Sequence, residues 1–435
     1  MKGSDNVLEE VLAIHQKNIG VLSLEATEAV LNHHDLAKMY TPGVAELSLM
    51  IAQNHELARE WTISGKLIAV ITDGSAVLGL GNMGTQAGLP IVEGKALLYK
   101  NLAGVDAIPL ALEQKSVDEM VQTIENLQNS FAGIHLEDIS APKCFEIEEK
   151  LQQRLNIPVY HDDQEGTAIV VLAGLINAAK IKGKPLNQLR VVINGVGASG
   201  VATAKLCIQA GITHLTLVDR QGVLREEDPT LNPYQRALLR QVIKPSVENK
   251  DLATAVVNQD VFLGLSEADV LTPALIKSMN QDPIIFALAN PKPEIEPALA
   301  QANGVRLLAT GSSKYPNQVN NILAFPGLFK GLLAAKGRKV DVGLQMTVAR
   351  SLAAMISEPT AEKFIPNVFD GGVVDTVFNA VLDYIKQEKT TLCSPLTVIV
   401  AQKRTYPLTL NPEKARSKMP AFLEPAGAFK EIRTE

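Results

Sequence analysis

Cysteine is scarce in this sequence and a long apolar segment is missing, and both features narrow the class of protein. Three of the 435 residues are cysteines, at positions 144, 207 and 393, and no two of them have CxxC spacing. We therefore expect neither a disulfide framework nor a cysteine-bound zinc ion. The most apolar stretch, residues 168–179, is too short and too interrupted by glycine to cross a bilayer.

An excess of basic charge is missing as well, and the first residues do not predict a signal peptide. The net charge is -6 at pH 7 and the isoelectric point is about 5.8. Proteins that bind nucleic acids or anionic membrane surfaces are usually basic, so we expect no nucleic acid and no membrane among the partners. The first residues, MKGSDNVLEEVLAIHQK, lack the apolar core of a signal peptide. These features predict a globular, cytoplasmic protein.

Short β-branched runs alternate with helical patterns along most of the chain, which predicts an α/β fold with parallel sheets and crossover helices. We expect an N-terminal α/β domain at residues 1–160, a Rossmann-type doubly wound dinucleotide-binding domain at 161–390, and a poorly ordered tail at 391–435. The predicted strands are residues 67–71, 105–110, 133–137, 190–194, 214–218, 260–263, 283–288 and 305–309.

A glycine-rich turn follows the predicted strand 190–194 and precedes a helical pattern at 201–209. Gly197 would let the backbone approach a pyrophosphate, and Gly200 would let the helix pack closely on the strand. The N-terminus of that helix favours a negative group. A turn that binds nothing could have the same letters, but the strand, the helix and a later acid favour a dinucleotide site. Its residues are Gly195, Val196, Gly197, Ala198, Ser199 and Gly200.

The later acid is Asp219, which ends the next predicted strand. A carboxylate at this distance binds the 2′-hydroxyl of the adenosine ribose and repels a 2′-phosphate. The pattern therefore favours NAD over NADP. Arg220 is adjacent and would weaken the repulsion, so NADP stays open as an alternative.

Three acidic residues follow the ends of two strands, the predicted strand 133–137 and a further strand that would end at residues 157–160. Glu137 and Asp138 follow the first, and Asp163 follows the second. Since parallel strands open into one crevice, the three carboxylates are expected to meet there and to suit Mg²⁺ or Mn²⁺. In an extended segment Asp162 would point away from Asp163, so we expect it beside the metal but not bound to it. Solvated loop ends or helix caps would give the same acidic pattern.

Two further residues are candidates for proton transfer. Tyr40 lies in a turn that Pro42 and Gly43 restrain, and Lys95 lies just before an apolar helical pattern. A lysine close to a divalent cation would lose its proton more easily and could act as a base. Taken singly, each residue also fits an ordinary role, as a packed turn tyrosine and a surface helix lysine.

A second glycine pattern, at residues 79–84, resembles a phosphate-binding turn. Gly88 and Pro90 follow it and are expected to break any helix there. The pattern predicts a tight loop, either at the active site or without a function.

Together these segments resemble the malic enzyme family from about residue 10 to residue 390. The segments and their first residues are YTPGVA at Tyr40, TDGSAVLGLGNMG at Thr72, EGKA at Glu93, LEDI at Leu136, HDDQEGTA at His161, GVGASG at Gly195, ALANPKPE at Ala287 and YPNQVNNILAFPG at Tyr315.

The resemblance implies roles for most of these residues. Lys95 would take the proton from the C2 hydroxyl of L-malate, and Tyr40 would protonate C3. The metal would be bound by Glu137, Asp138 and Asp163. Substrate carboxylates would contact the side chains of Asn290 and Asn321, with Asn320 beside them.

The resemblance further implies oxidative decarboxylation of L-malate to pyruvate and CO₂, with reduction of NAD or NADP. A malolactic enzyme and an oxaloacetate decarboxylase are alternatives with the same residues, and a non-catalytic NAD-binding regulator is a third. The chain departs from the family's usual pattern at Glu165, where added negative charge is expected, and at Ser312, where an arginine is commoner.

The family resemblance also implies a homodimer or a higher homo-oligomer. The amphipathic residues 7–14 would contribute to the interface between subunits, or would pack on the surface of their own chain.

Overall fold

Two parallel sheets organise the chain, which is described in a computed structural model over residues 4–77, 79–243, 250–337 and 339–392. The chain up to Glu388 forms a single compact unit. The tail expected at 391–435 lies almost wholly outside the described residues, so that prediction stays untested.

The first sheet has the order β2-β1-β3-β4, and all of its pairs are parallel. Its strands β1, β3 and β4 are buried along their whole length, which is why they appear in the sequence as nearly continuous apolar runs. The strands are β1 Leu67–Thr72, β2 Asp106–Ala111, β3 Gly133–Glu137 and β4 Val159–His161.

The second sheet has the order β10-β9-β8-β5-β6-β7, with every pair parallel except β6 and β7. The chain leaves β5 towards β6 and later returns to β8 on the other side of β5. Ligands bind in doubly wound sheets at such a reversal, outside the carboxyl ends of the strands. The strands are β5 Arg190–Asn194, β6 His214–Asp219, β7 Gly222–Val223, β8 Val261–Gly264, β9 Ile284–Ala287 and β10 Leu307–Thr310.

Helices connect and cover the strands, so the predicted α/β class with a Rossmann-type part is confirmed. Among the described residues, no helix has both the length and the apolar composition that crossing a membrane requires. The α-helices described are α1 Ser4–Asn18, α2 His33–Met39, α3 Gly43–Gln53, α4 Leu57–Trp61, α5 Thr85–Leu98, α6 Val117–Leu127, α7 Lys143–Arg154, α8 Thr167–Lys182, α9 Ala198–Gln209, α10 Pro233–Leu239, α11 Leu252–Ala255, α12 Pro273–Ser278, α13 Pro297–Ala302, α14 Phe325–Ala335, α15 Val342–Ala354 and α16 Val373–Leu392.

Helix α8 is the central helix of the compact unit, and it contains the apolar residues 168–179. It packs against α9 and α15, and most of its residues are buried. Its one buried amide side chain, Asn177, donates hydrogen bonds to the carbonyl oxygens of Ala353 (2.9 Å) and Phe364 (3.1 Å). These bonds satisfy carbonyl groups that burial would otherwise leave without a donor.

Helix α5 contradicts the prediction that Gly88 and Pro90 would prevent a helix. Both residues lie inside it. A Cβ atom on Gly88 would lie 3.0 Å from the side chain of Thr72 and 3.2 Å from Gly74, so glycine allows the helix to pack on the end of β1. Burial of Val92 and Ala96 stabilises the helix further. Tertiary packing outweighs the local cost of proline here, and Lys95 lies in the last turn of α5 rather than before a helix.

Candidate active site

The three predicted metal ligands come together at the carboxyl ends of β3 and β4. Glu137 ends β3, Asp138 follows it, and Asp163 lies just after β4. One carboxylate oxygen from each of them lies within 4.8 Å of the other two. Three oxygen ligands at this separation fit one divalent cation and leave coordination positions for substrate oxygens.

The backbone at Asp138 shapes this cluster. Asp138 has φ = 55°, in the left-handed region that residues with a side chain rarely adopt. Its amide donates a hydrogen bond of 2.8 Å to Oδ2 of Asp163, and its carbonyl oxygen accepts one of 3.0 Å from the amide of Ala76. The unusual turn therefore joins the two acidic segments to the loop that follows β1.

Asp162 is close to the cluster, but not for the reason that the sequence suggested. Residues Asp162–Gly166 form a helical turn and not an extended segment. The Asp162 carboxylate is fully buried and accepts hydrogen bonds from the hydroxyl of Tyr160 (2.7 Å), from Nδ2 of Asn321 (3.2 Å) and from Nζ of Lys95. These three donors orient it towards Lys95.

Lys95 extends from α5 into the same group of carboxylates. Its Nζ bonds with Asp162 and lies 3.1 Å from Oε1 of Glu137, and the side chain is 15% exposed. Burial lowers the pKa of Lys95, but the attraction of Asp162 and Glu137 outweighs it and holds this pKa well above the usual value. In the protein alone Lys95 is therefore a cation. The lowered pKa expected beside a divalent cation stays a prediction.

Burial has a large effect on the carboxyl groups as well. It raises the pKa of Glu137 and that of Asp163 above their ordinary values, and their mutual repulsion adds to this effect for Asp163. The positive charge of Lys95 works in the other direction. A bound divalent cation would favour the charged carboxylates, so these side chains fit the metal that the sequence predicted.

His135 belongs to the site and was missed by the sequence analysis. Its Nε2 lies 2.7 Å from Oε2 of Glu137, and its Nδ1 lies 2.9 Å from the hydroxyl of Tyr99. Burial lowers the pKa of His135 to about 4, so the ring is neutral and one nitrogen donates to Glu137 while the other accepts from Tyr99. Its position two residues before Glu137, on the same face of a strand, was the available signal.

The three asparagines occupy different positions around this cluster. Asn321 Nδ2 bonds to the carbonyl oxygen of Asp162 at 3.1 Å, in addition to its carboxylate. Asn320 caps a short helical turn, because its Oδ1 accepts from the amide of Ile322. A Cβ atom on Gly79 would lie 2.4 Å from the carbonyl oxygen of Asn290. The loop that starts at Gly79 therefore lies against Asn290, which favours its interpretation as an active-site loop.

Tyr40 is the one proposed catalytic residue that this chain does not bring to the cluster. Its side chain is 70% exposed, and its hydroxyl has no hydrogen-bond partner among the described residues. It lies between α2 and α3, and neither helix buries a residue. A single chain therefore leaves Tyr40 without contacts that would hold its phenol.

The glycine turn after β5 forms the wall of a cavity of about 1020 Å³. A Cβ atom on Gly195 would lie 2.3 Å from the carbonyl oxygen of Leu265, and one on Gly200 would lie 1.9 Å from that of Gly195. Around Gly197 the space is open. Asp219 lines the same cavity, and its Oδ1 accepts a hydrogen bond of 2.7 Å from the amide of Gln221. The turn therefore fits the pyrophosphate of a dinucleotide.

Glu165 lies in the helical turn Asp162–Gly166 and forms a buried pair with Glu148. Glu165 accepts hydrogen bonds from the amide of His161 (3.2 Å) and from Nε2 of Gln345 (2.6 Å). Burial and the neighbouring Glu148 raise the pKa of Glu165 well above its ordinary value. The raised pKa favours the neutral form of this side chain, which opposes the added negative charge expected from the sequence.

Comparison with known proteins shows the family of this chain. The malic enzyme N-terminal domain matches residues 20–152, and the malic enzyme NAD binding domain matches residues 164–371. The NAD-dependent malic enzyme of Geobacillus stearothermophilus is 43% identical over 366 residues, which are 84% of this chain and 76% of that protein. The chain belongs to the malic enzyme family.

Two further members of the family support this conclusion. The bifunctional malic/malolactic enzyme of Bacillus subtilis (strain 168) is 43% identical over 375 residues, which are 86% of this chain and 92% of that protein. The crystal structure of the NAD-dependent malic enzyme from Thermotoga maritima matches with a TM-score of 0.82 and 41% identity, over 85% of this chain and 98% of that one. The predicted family and the predicted enzyme class are confirmed.

The Glu148–Glu165 pair predicts how the stability of this malic enzyme depends on pH. Burial raises the pKa of Glu148 from an ordinary 4.5 to about 7. Between these values the folded state holds a proton that the unfolded state releases, so the free energy of unfolding falls as the pH rises. With Glu148→Gln the fall between pH 5 and pH 7.5 should be smaller by roughly 2 kcal/mol, measured by urea denaturation.

A matched control is Glu146→Gln, because Glu146 lies on the same helix and forms an exposed ion pair with Lys150. This variant should keep the pH dependence of the unmodified protein. An equal slope for Glu148→Gln and the unmodified protein would contradict the buried protonated pair.

Proposed function

We propose that this protein catalyses the oxidative decarboxylation of L-malate to pyruvate and CO₂, with reduction of NAD and with Mg²⁺ or Mn²⁺ as the metal. The observation that carries the proposal is the meeting of Lys95 with the carboxylates of Glu137, Asp138 and Asp163. The cavity beside Gly195 supports a dinucleotide as the hydride acceptor. The two sheets fit a division into the proposed domains 1–160 and 161–390.

Glu137, Asp138 and Asp163 would hold the metal at the end of the first sheet. Bound there, a divalent cation supplies a Lewis acid that polarises the oxygen on C2 of the substrate. His135 keeps Glu137 in place, since its neutral ring bonds one carboxylate oxygen. The amide of Asp138 does the same for Asp163.

Lys95 is the proposed base for the C2 hydroxyl of malate. The carboxylates of Asp162 and Glu137 raise its pKa in the protein alone. A divalent cation would neutralise part of that negative charge and lower the affinity of Lys95 for its proton. Asp162 holds Nζ in position throughout, since its own carboxylate is fixed by Tyr160 and Asn321.

Asn290 and Asn321 are the proposed contacts of the substrate carboxylates, with Asn320 beside Asn321. Asn321 already bonds to Asp162, which places its amide next to Lys95. The loop from Gly79 and the backbone of Gly311 lie against Asn290, because the Cβ atoms they lack would come within about 3.3 Å of it. These contacts would hold malate with C2 facing both Lys95 and the coenzyme.

Tyr40 is the proposed donor of the proton to C3, and we propose that a second copy of this chain positions it. Isolated short helices are unstable in water, yet α2 and α3 bury nothing within their own chain. Large apolar side chains are exposed along this N-terminal region: Val7, Leu8, Leu12, Ile14, Leu36, Met39, Leu49 and Met50. Such a surface is typical of an interface between subunits, so we propose a homodimer in which Tyr40 enters the site of the partner.

A malolactic enzyme is the second candidate function, because a relative of 43% identity is described as bifunctional. Malolactic activity would keep the coenzyme bound and return the hydride to form lactate. Decarboxylation of oxaloacetate alone is a third outcome. The three differ in the products that leave the protein.

The test of the proposed function is an assay of the purified protein with L-malate, NAD and Mn²⁺. NADH and pyruvate should appear in equal amounts, and kcat of Lys95→Ala should fall by roughly 10²- to 10⁴-fold while NADH still binds. The matched control is Lys100→Ala, since Lys100 is an exposed lysine that pairs with Asp106.

Other results of this assay would indicate a different activity or a different role for Lys95. Lactate without net NADH would indicate a malolactic enzyme, and turnover of oxaloacetate alone would indicate loss of the redox step. Full activity of Lys95→Ala would contradict the role of Lys95.

The position of Tyr40 can be tested by mixing two inactive variants, Tyr40→Phe and Lys95→Ala. If Tyr40 acts in the partner's site, a mixed dimer has one site with both residues intact. Random mixing after mild dissociation should then restore about a quarter of the wild-type activity, since half of the dimers are mixed and each has one complete site. A mixture that forms mixed dimers but stays inactive would place Tyr40 in the site of its own chain.

A further inference from the structure

The wall of the dinucleotide cavity beside Asp219 contains two cationic side chains, and each is paired with a carboxylate. Nη2 of Arg220 lies 2.5 Å from Oε1 of Glu267. Nζ of Lys250 lies 2.6 Å from Oδ1 of Asp228. Neither cation therefore faces the cavity with an unopposed charge.

The backbone that leads to Glu267 is held by hydrogen bonds, although the side chain of Glu267 is on the surface. It follows β8, and the amide of Leu265 donates to the carbonyl oxygen of Asn194 at 2.8 Å. Ser266 accepts a hydrogen bond of 2.7 Å from the Asn194 side chain and donates its amide to Oε1 of Glu294, which is fully buried. The residues directly before Glu267 are thus fixed to the end of β5, beside the glycine turn.

Arg220, by contrast, has an exposed and adaptable side chain. It is 87% exposed, and Glu267 is 54% exposed. A pair this open contributes little to folding stability. The pair places the guanidinium beside Glu267 through one Nη2–Oε1 contact, although arginine can bind a planar oxyanion with two parallel hydrogen bonds. Without Glu267 the same guanidinium could turn to a phosphate group attached next to Asp219.

We propose that Glu267 is a specificity-determining residue, which disfavours NADP by pairing with Arg220 and so keeping its guanidinium from a 2′-phosphate. Asp219 alone repels a 2′-phosphate, but an unpaired Arg220 would offset that repulsion. Because Glu267 pairs with Arg220, the positive charge of Arg220 no longer offsets the repulsion between Asp219 and the phosphate. The inference rests on the proposed NAD site and extends it to the choice of coenzyme.

The test compares Glu267→Gln, the double variant Glu267→Gln with Arg220→Gln, and the unmodified protein. Dissociation constants of NADH and NADPH are measured by nucleotide fluorescence, and kcat/KM for NAD and NADP with malate. In Glu267→Gln the preference for NAD over NADP should decrease by on the order of tenfold in both measurements, which is what one charge-assisted hydrogen bond contributes. In the double variant the relative gain in binding and use of NADP should be lost, because no arginine is left to bind the 2′-phosphate.

Asp269→Asn is the matched control. Asp269 lies two residues after Glu267 and loses the same charge, but its partner is Lys292, at 2.5 Å, and it does not line the cavity. Its coenzyme preference should stay within about twofold of that of the unmodified protein, since exposed charges outside the site are screened by salt.

The outcomes separate the inference from the proposed function. The role of Glu267 would be overturned by any of three results. The coenzyme preference could be unchanged in Glu267→Gln, or the relative gain for NADP could be equally large in the double variant or in Asp269→Asn. Binding of NADH without turnover of malate would contradict the proposed reaction, while the binding constants would still decide the role of Glu267. Failure of both coenzymes to bind would contradict the two proposals together.

Discussion

The attraction between one lysine and several buried carboxylates is the interaction on which the candidate site depends. Lys95 lies against Asp162 and Glu137, with Asp163 close by. Burying several acids together is costly unless cations compensate them. Lys95 supplies one positive charge, and a divalent cation at Asp138 and Asp163 would supply two more. The same crowding accounts for the position of Lys95 and would favour the binding of a divalent cation.

The parallel strands of the first sheet bring the carboxylates and Lys95 close together. Glu137 and Asp163 follow adjacent strands of the first sheet, and α5 carries Lys95 to the same edge because Gly88 lets the helix pack closely. The second sheet presents its glycine turn where its strand order reverses. Helix α8 begins directly after the acidic turn and packs on α9, the helix of the glycine turn, so both sites are parts of one continuous core.

Patterns of local sequence were sufficient for most of the strands, for the glycine turn and for the meeting of the three acidic residues, because each depends on a few consecutive residues. They failed where distant contacts decide the outcome. Pro90 lies in a helix because packing on β1 outweighs its local cost. The pKa of Glu165 is raised by burial and by Glu148, which lies on another helix. Tyr40 was identified through the family resemblance, but its exposure in a single chain could not be predicted from its turn.

The most direct test of the account is to locate a metal in crystals of the protein grown with Mn²⁺. Anomalous scattering at the manganese edge marks the ion without any assumption about activity. The account predicts one strong peak in contact with carboxylate oxygens of Glu137, Asp138 and Asp163, with Lys95 still bonded to Asp162. A manganese peak at another cluster, with none at these three acids, would contradict the claim that they bind the metal.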